Sequence, residues 1–92
     1  MPELTDALLK LLPPGMDVDN AIYRVKQVHE AAYQEIKVLL YRCAANRDTQ
    51  IAAELGLSVK TVRTYGNDAK WKLGFKACRT ATAYLMSFLN KP

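Results

Sequence analysis

An all-α fold is predicted from three features of the chain. Apolar residues recur three and four positions apart over most of its 92 residues. Glycine and proline are gathered at points such as Pro13-Pro14-Gly15, Gly56 and Gly74, between those periodic runs. Neither occurs anywhere between Met16 and Leu55, a stretch that leaves helical hydrogen bonding uninterrupted.

Half of the residues (50%) are apolar, enough for one small core. The longest uncharged apolar runs, Val38 to Tyr41 and Ala81 to Met86, are far shorter than the roughly 20 residues that span a bilayer. No basic-then-apolar leader opens the chain, so a soluble, cytoplasmic protein with no membrane contact is expected.

Leu4, Leu8, Leu11 and Leu12 share a helical face, and Pro13-Pro14-Gly15 stops that helix, which is expected over about residues 3 to 12. Asp17 or Asp19 caps the next one, since a carboxylate there accepts from free amides and suits the positive end of the helix dipole. Ile22, Val25, His29, Ala32, Ile36, Leu39 and Cys43 then form a heptad-like stripe. It is compatible with one helix over about residues 18 to 45 or with two helices broken near Ala31. His29 reads as a spacer in that seam, because no second ligand type lies one turn away.

Asn46, Arg47 and Asp48 make a polar break, with Asp48 as N-cap of a short helix, Thr49 to Leu55, that turns Ile51, Ala52 and Leu55 inward. Gly56 ends it, because a left-handed backbone costs glycine nothing. Ser58 caps a longer helix, about Val59 to Leu73, burying Val59, Val62, Tyr65 or Gly66, Ala69 and Leu73. Gly74 ends that helix. A last one, about Ala77 to Asn90, carries Cys78, Ala81, Leu85 and Phe88 on one face with Tyr84 and Leu89 beside them, a broad apolar stripe.

Cys43 and Cys78 lie inside apolar patterns and are expected as small core residues in a reducing compartment. With one histidine and two cysteines, no metal site or cofactor is implied. No Gly-rich phosphate loop or Ser/His/Asp set is present, and Glu30 and Glu35 read as helix-surface charges, so no catalysis is expected.

Charge is uneven. Residues 1 to 50 carry six Lys/Arg against seven Asp/Glu, a net −1, and residues 51 to 92 carry seven against two, a net +5, which together make the +4 of the chain. A positive C-terminal half suits a polyanion partner.

The connection Gly56-Leu57-Ser58 has the length and composition of the tight turn in a DNA-binding helix-turn-helix. On the solvent face of the helix that follows, Lys60, Arg63, Thr64, Asn67 and Lys70 or Trp71 project the same way. Arg donates two parallel bonds to guanine O6 and N7, Asn pairs with adenine N6 and N7, and Thr offers a hydroxyl plus a methyl to thymine, so Arg63, Thr64 and Asn67 are the base-contact candidates. Ser58, Lys60 and Thr61 at the helix start suit phosphates, aided by free backbone amides. Trp71 reads first as apolar area on the buried edge of the helix, and alternatively as a partner contact.

These residues carry a resemblance. Gln50-Ile51-Ala52, Leu55, Leu57-Ser58, Lys60-Thr61-Val62-Arg63 and Lys72-Leu73-Gly74-Phe75 look like the LuxR-type, or NarL-type, helix-turn-helix domain of bacterial transcription regulators. Glu35, Val38 and Leu39 match the first helix of that family, and the resemblance covers about residues 34 to 89. It implies a four-helix domain over residues 34–92; residues 1–33, long enough for two helices, are expected as a helical extension that covers the core or dimerises. It places base contacts on Arg63, Thr64 and Asn67 and phosphate contacts on Lys60, Thr61 and Lys72, with Arg47, Thr49, Ser58 and Lys70 as further phosphate candidates.

The resemblance further implies a homodimer through the last helix, using Cys78, Ala81, Tyr84, Leu85, Phe88 and Leu89. The chain departs from the family at Ala45, Arg47-Asp48, Tyr65, Asp68 and Cys78. Asp68 brings a carboxylate to the phosphate-facing helix, where Lys72 or Arg63 would neutralise it, and Gly66 leaves room for a close neighbouring backbone. The expected function is that of a small, stand-alone transcription regulator of bacterial or phage origin that binds double-stranded DNA as a homodimer. The alternative is a protein-binding module, an antiactivator that pairs with another regulator.

Overall fold

Apolar stripes and caps set the order of six helices in the computed structural model, which describes residues 3–45 and 47–91. They are α1 (Glu3–Leu11), α2 (Val18–Lys26), α3 (Tyr33–Arg42), α4 (Asp48–Leu55), α5 (Val59–Lys72) and α6 (Cys78–Leu89), with no strand among the described residues. None of these helices is long and apolar enough to cross a membrane.

The long stripe of residues 22 to 43 resolves into two helices. Ile22 and Val25 of α2 and Ile36 and Leu39 of α3 are all fully buried, whereas Ala32, placed on the same stripe by spacing, is exposed as the N-cap of α3. A six-residue connection separates the helices, and the Lys26 ammonium ties it by donating to the Ala31 carbonyl (3.3 Å). Within it His29 is half-buried, with Nε2 2.6 Å from the Tyr84 hydroxyl and its ring edge-on to Tyr84. Asp17 is the N-cap of α2 and accepts from the Asn20 amide (2.8 Å), an assignment the sequence left open between Asp17 and Asp19.

α3 is the hub. Ile36, Val38, Leu39 and Leu40 are all fully buried, so this helix is apolar on nearly all sides, as a helix enclosed by others must be. It touches every other helix and runs most extensively along α5. Leu8 and Leu12, together with Ala21, Ile22 and Val25, join the same core as Ile51, Val62, Ala69, Ala81, Leu85 and Leu89. Residues 3–33 therefore share the hydrophobic core of the rest. The Thr5 hydroxyl donates to Glu54 Oε2 (2.6 Å), which leaves Tyr41 as donor to Thr5 (2.8 Å) and pins α1 to both α3 and α4.

Both cysteines are free and half-buried. The Cys43 thiol points at the Leu39 carbonyl (3.6 Å), and burial pushes its pKa up to about 12, so it packs as a small apolar group.

The turn after α4 forms as its glycine requires. Gly56 adopts φ 68°, ψ 34°, and the following Leu57 amide reaches back to the Ala52 carbonyl (3.0 Å), closing the end of α4. Gly56→Ala is expected to cost about 1–2 kcal/mol, although open space surrounds the site, because a Cβ clashes with its own backbone at positive φ. Chemical denaturation of the variant, with an unchanged slope, checks it.

Candidate nucleic-acid interface

Ser58 begins α5. Its Oγ accepts from the Thr61 amide (3.0 Å) and donates to the Thr61 hydroxyl (2.8 Å), so both side chains serve the cap. From there Val62, Gly66, Ala69 and Leu73 turn inward, while Lys60, Arg63, Thr64, Asn67 and Trp71 are exposed on the opposite side. Val59 and Tyr65 are only half-buried, and of the expected pair Tyr65 or Gly66 it is the glycine that is buried.

Trp71 corrects its first reading as a buried-edge aromatic: it is 58% exposed, on the side of α5 away from the core. Helical geometry puts it three turns from Lys60 on one stripe, and the Lys70 ammonium lies over its ring at 5.5 Å.

Asp48 is also corrected. Arg47, whose side chain makes no capping bond, is the N-cap of α4, and Asp48 is the first helical residue. Asn46 lies outside the described residues. The Asp48 carboxylate bonds two arginines instead of backbone amides: Arg42 of α3 on Oδ1 and Arg63 of α5 on Oδ2 (3.1 Å). Gly66 makes room for this arrangement, since a Cβ there would stand 3.3 Å from Arg42 Nη2. The close neighbour expected at Gly66 is thus a guanidinium rather than backbone.

Glu35 is the second correction among the charges. It is 7% exposed instead of lying on the surface, because α5 covers it. Its Oε1 accepts from the Ala32 amide (2.9 Å) at the start of α3 and from the Lys72 ammonium (2.8 Å). Both basic residues considered as neutralisers of Asp68 are therefore bonded to other carboxylates, Lys72 to Glu35 and Arg63 to Asp48. Asp68 itself is exposed and forms no salt bridge among the described residues.

These bonds set the acid response. Burial alone would raise the Asp48 carboxyl, but the bond and charge of Arg42, and then those of Arg63, outweigh it and hold the carboxyl below its usual range. Burial acts likewise on Glu35, where the Lys72 and Ala32 bonds prevail and lower it. A carboxyl depressed in the folded state adds stability above its unfolded pKa and loses it as pH falls through the folded value. The melting temperature is expected to hold steady from about pH 7 to about pH 5 and to fall below about pH 4. Glu35→Gln and Asp48→Asn should each flatten that fall, a comparison made by calorimetry across pH.

Among the remaining candidates, Arg47 and Thr49 are exposed at the start of α4, and Lys70 is half-exposed. Thr64 is exposed with its hydroxyl bonded back to the Lys60 carbonyl (3.1 Å). Lys72 sits toward α3 rather than on the outer stripe.

The apolar face of α6 is occupied inside the chain. Ala81, Leu85 and Leu89 are wholly buried, Tyr84 packs on Phe75 and His29, and Phe88 packs on His29 and Tyr84. Cys78 is half-buried. The Ala81, Leu85 and Leu89 part of the expected dimer surface is thus spent within the chain, where α6 packs on α3, α5 and α2.

No family model, no curated protein and no solved structure matches this chain. The residues that sequence reasoning missed are Arg42 and the inward role of Glu35. Their signal was faint: a charged residue within or beside a densely apolar helix, which a buried helix tolerates only with a partner.

Proposed function

We propose that the chain binds double-stranded DNA sequence-specifically through α5, with α3 to α6 in a LuxR-type arrangement and α1 and α2 completing the core. The observation that carries this reading is the outer face of α5. Lys60, Arg63, Thr64 and Asn67 are exposed together behind a Ser58-capped N-terminus, opposite a fully apolar inner face. Arg63 and Asn67 are the side chains that read guanine and adenine edges, and Lys60 with the first-turn amides holds phosphate. Regulation of transcription follows as the role of such a domain, with no chemistry of its own.

A homodimer on DNA remains part of the proposal, and its contact falls outside the three wholly buried positions of α6. A second reading, docking of a regulator protein on α5, is favoured by one observation: exposed Trp71 and exposed Asp68 lie on or beside the same face.

Selection of bound duplexes from a random pool tests the proposal. An enriched site, symmetric if two copies bind, with affinity falling steeply as salt rises, supports it. A pool that stays random, together with salt-independent capture of a protein partner, favours the second reading.

A further inference from the structure

We infer that Asp48 is a positioning residue for base recognition, holding the Arg63 guanidinium in one orientation at the outer face of α5. This rests on the DNA reading and adds to it a residue that never touches a base. Arg63 Nε donates to Asp48 Oδ2 at 3.1 Å while the Arg63 side chain stays 69% exposed. Donation from Nε leaves the two terminal nitrogens, whose paired N–H groups match the O6 and N7 acceptors of guanine.

The carboxylate is itself anchored. It is only 18% exposed, and its other oxygen is bonded by Arg42 from α3. Arg42 in turn lies against the bare Cα of Gly66, so the order Arg42, Asp48, Arg63 is built across three helices. An unheld arginine on an exposed helix face samples many rotamers and must lose that freedom on binding. The Asp48 bond removes part of that loss before DNA arrives, and it aims the guanidinium as a planar fork rather than a free charge. It also puts one negative charge beside the phosphates, which weakens attraction to DNA of any sequence. Asp48 therefore trades general affinity for discrimination at one base position.

The full chain is assayed on its selected site and on variants of that site with each base changed, beside random duplex, using Asp48→Asn, Asp48→Ala, Arg63→Lys and Asp48→Asn/Arg63→Lys. Discrimination at the one position that Arg63→Lys relaxes should fall about tenfold in Asp48→Asn, with affinity for random duplex rising. The double variant should lose no more than the single ones. Arg63→Lys leaves the Arg42–Asp48 bond in place, so it reports on the fork even where Asp48→Ala fails to fold.

Discrimination unchanged in Asp48→Asn or in Arg63→Lys overturns the proposal, and so does equal weakening at every position, the mark of a purely structural residue. If the wild-type chain selects no sequence at all, the DNA reading falls and takes this proposal with it.

Discussion

Arg63→Ala is expected to relax base preference at one position of the bound site by roughly 5- to 100-fold, and Asn67→Ala to do so at a neighbouring position. The magnitude follows from the two parallel hydrogen bonds that each side chain can make to a base edge. Losing them removes the difference between the right base and the wrong one, while the phosphate contacts persist. Lys60→Ala should instead weaken binding evenly across sequences and lower the salt dependence by about one counterion. Both base-reading candidates are exposed on the outer face of α5, with no apolar packing to lose, so the variants should fold normally. Competition between the selected duplex and its single-base variants separates the two patterns. Base preference that survives both substitutions would remove Arg63 and Asn67 from the recognition role.

Leu8→Ala should destabilise the whole chain by about 3 kcal/mol, within the usual range for a leucine deleted from a packed core. Leu8 is wholly buried and belongs to the same core as Val62 and Ala69 of α5. At this size that loss corresponds to roughly a 10–20 °C fall in melting temperature. Because one core serves all six helices, unfolding should remain a single transition, and amide protection in α5 should fall as much as in α1. Hydrogen exchange read by mass spectrometry checks both points. Protection in α5 that is untouched by Leu8→Ala would mean that residues 34–92 fold independently of the first two helices. Trp71→Ala, by contrast, should change stability by less than about 0.5 kcal/mol, since its indole lies outside the core.

Helix positions were largely legible because their determinants are local. Capping by Asp17 and Ser58 depends on amides three residues away, and the left-handed Gly56 depends on its own backbone. The break between α2 and α3 was harder to read. The stripe runs through it without a Pro or Gly, and the bonds that hold the turn include one from His29 to Tyr84, 55 residues later. Trp71 was misplaced because it stands two positions from the inward-facing Ala69 and Leu73, and two steps along a helix turn a side chain by about 200°.

What the sequence determined by itself is the all-helical character, the approximate limits of the helices outside residues 18–45, and the polar stripe on α5. Each follows from spacing of three and four residues and from caps within one turn. The tertiary structure alone decided which charges meet and which apolar faces are spent. Arg42 and Asp48 are six residues apart, Asp48 and Arg63 fifteen, and Glu35 and Lys72 thirty-seven, so no local pattern pairs them. The α6 stripe likewise looked free for a second copy, yet its Ala81, Leu85 and Leu89 face α3, α5 and α2. A helix shows in its own sequence that it has an apolar side, but what covers that side depends on how the rest of the chain returns to it.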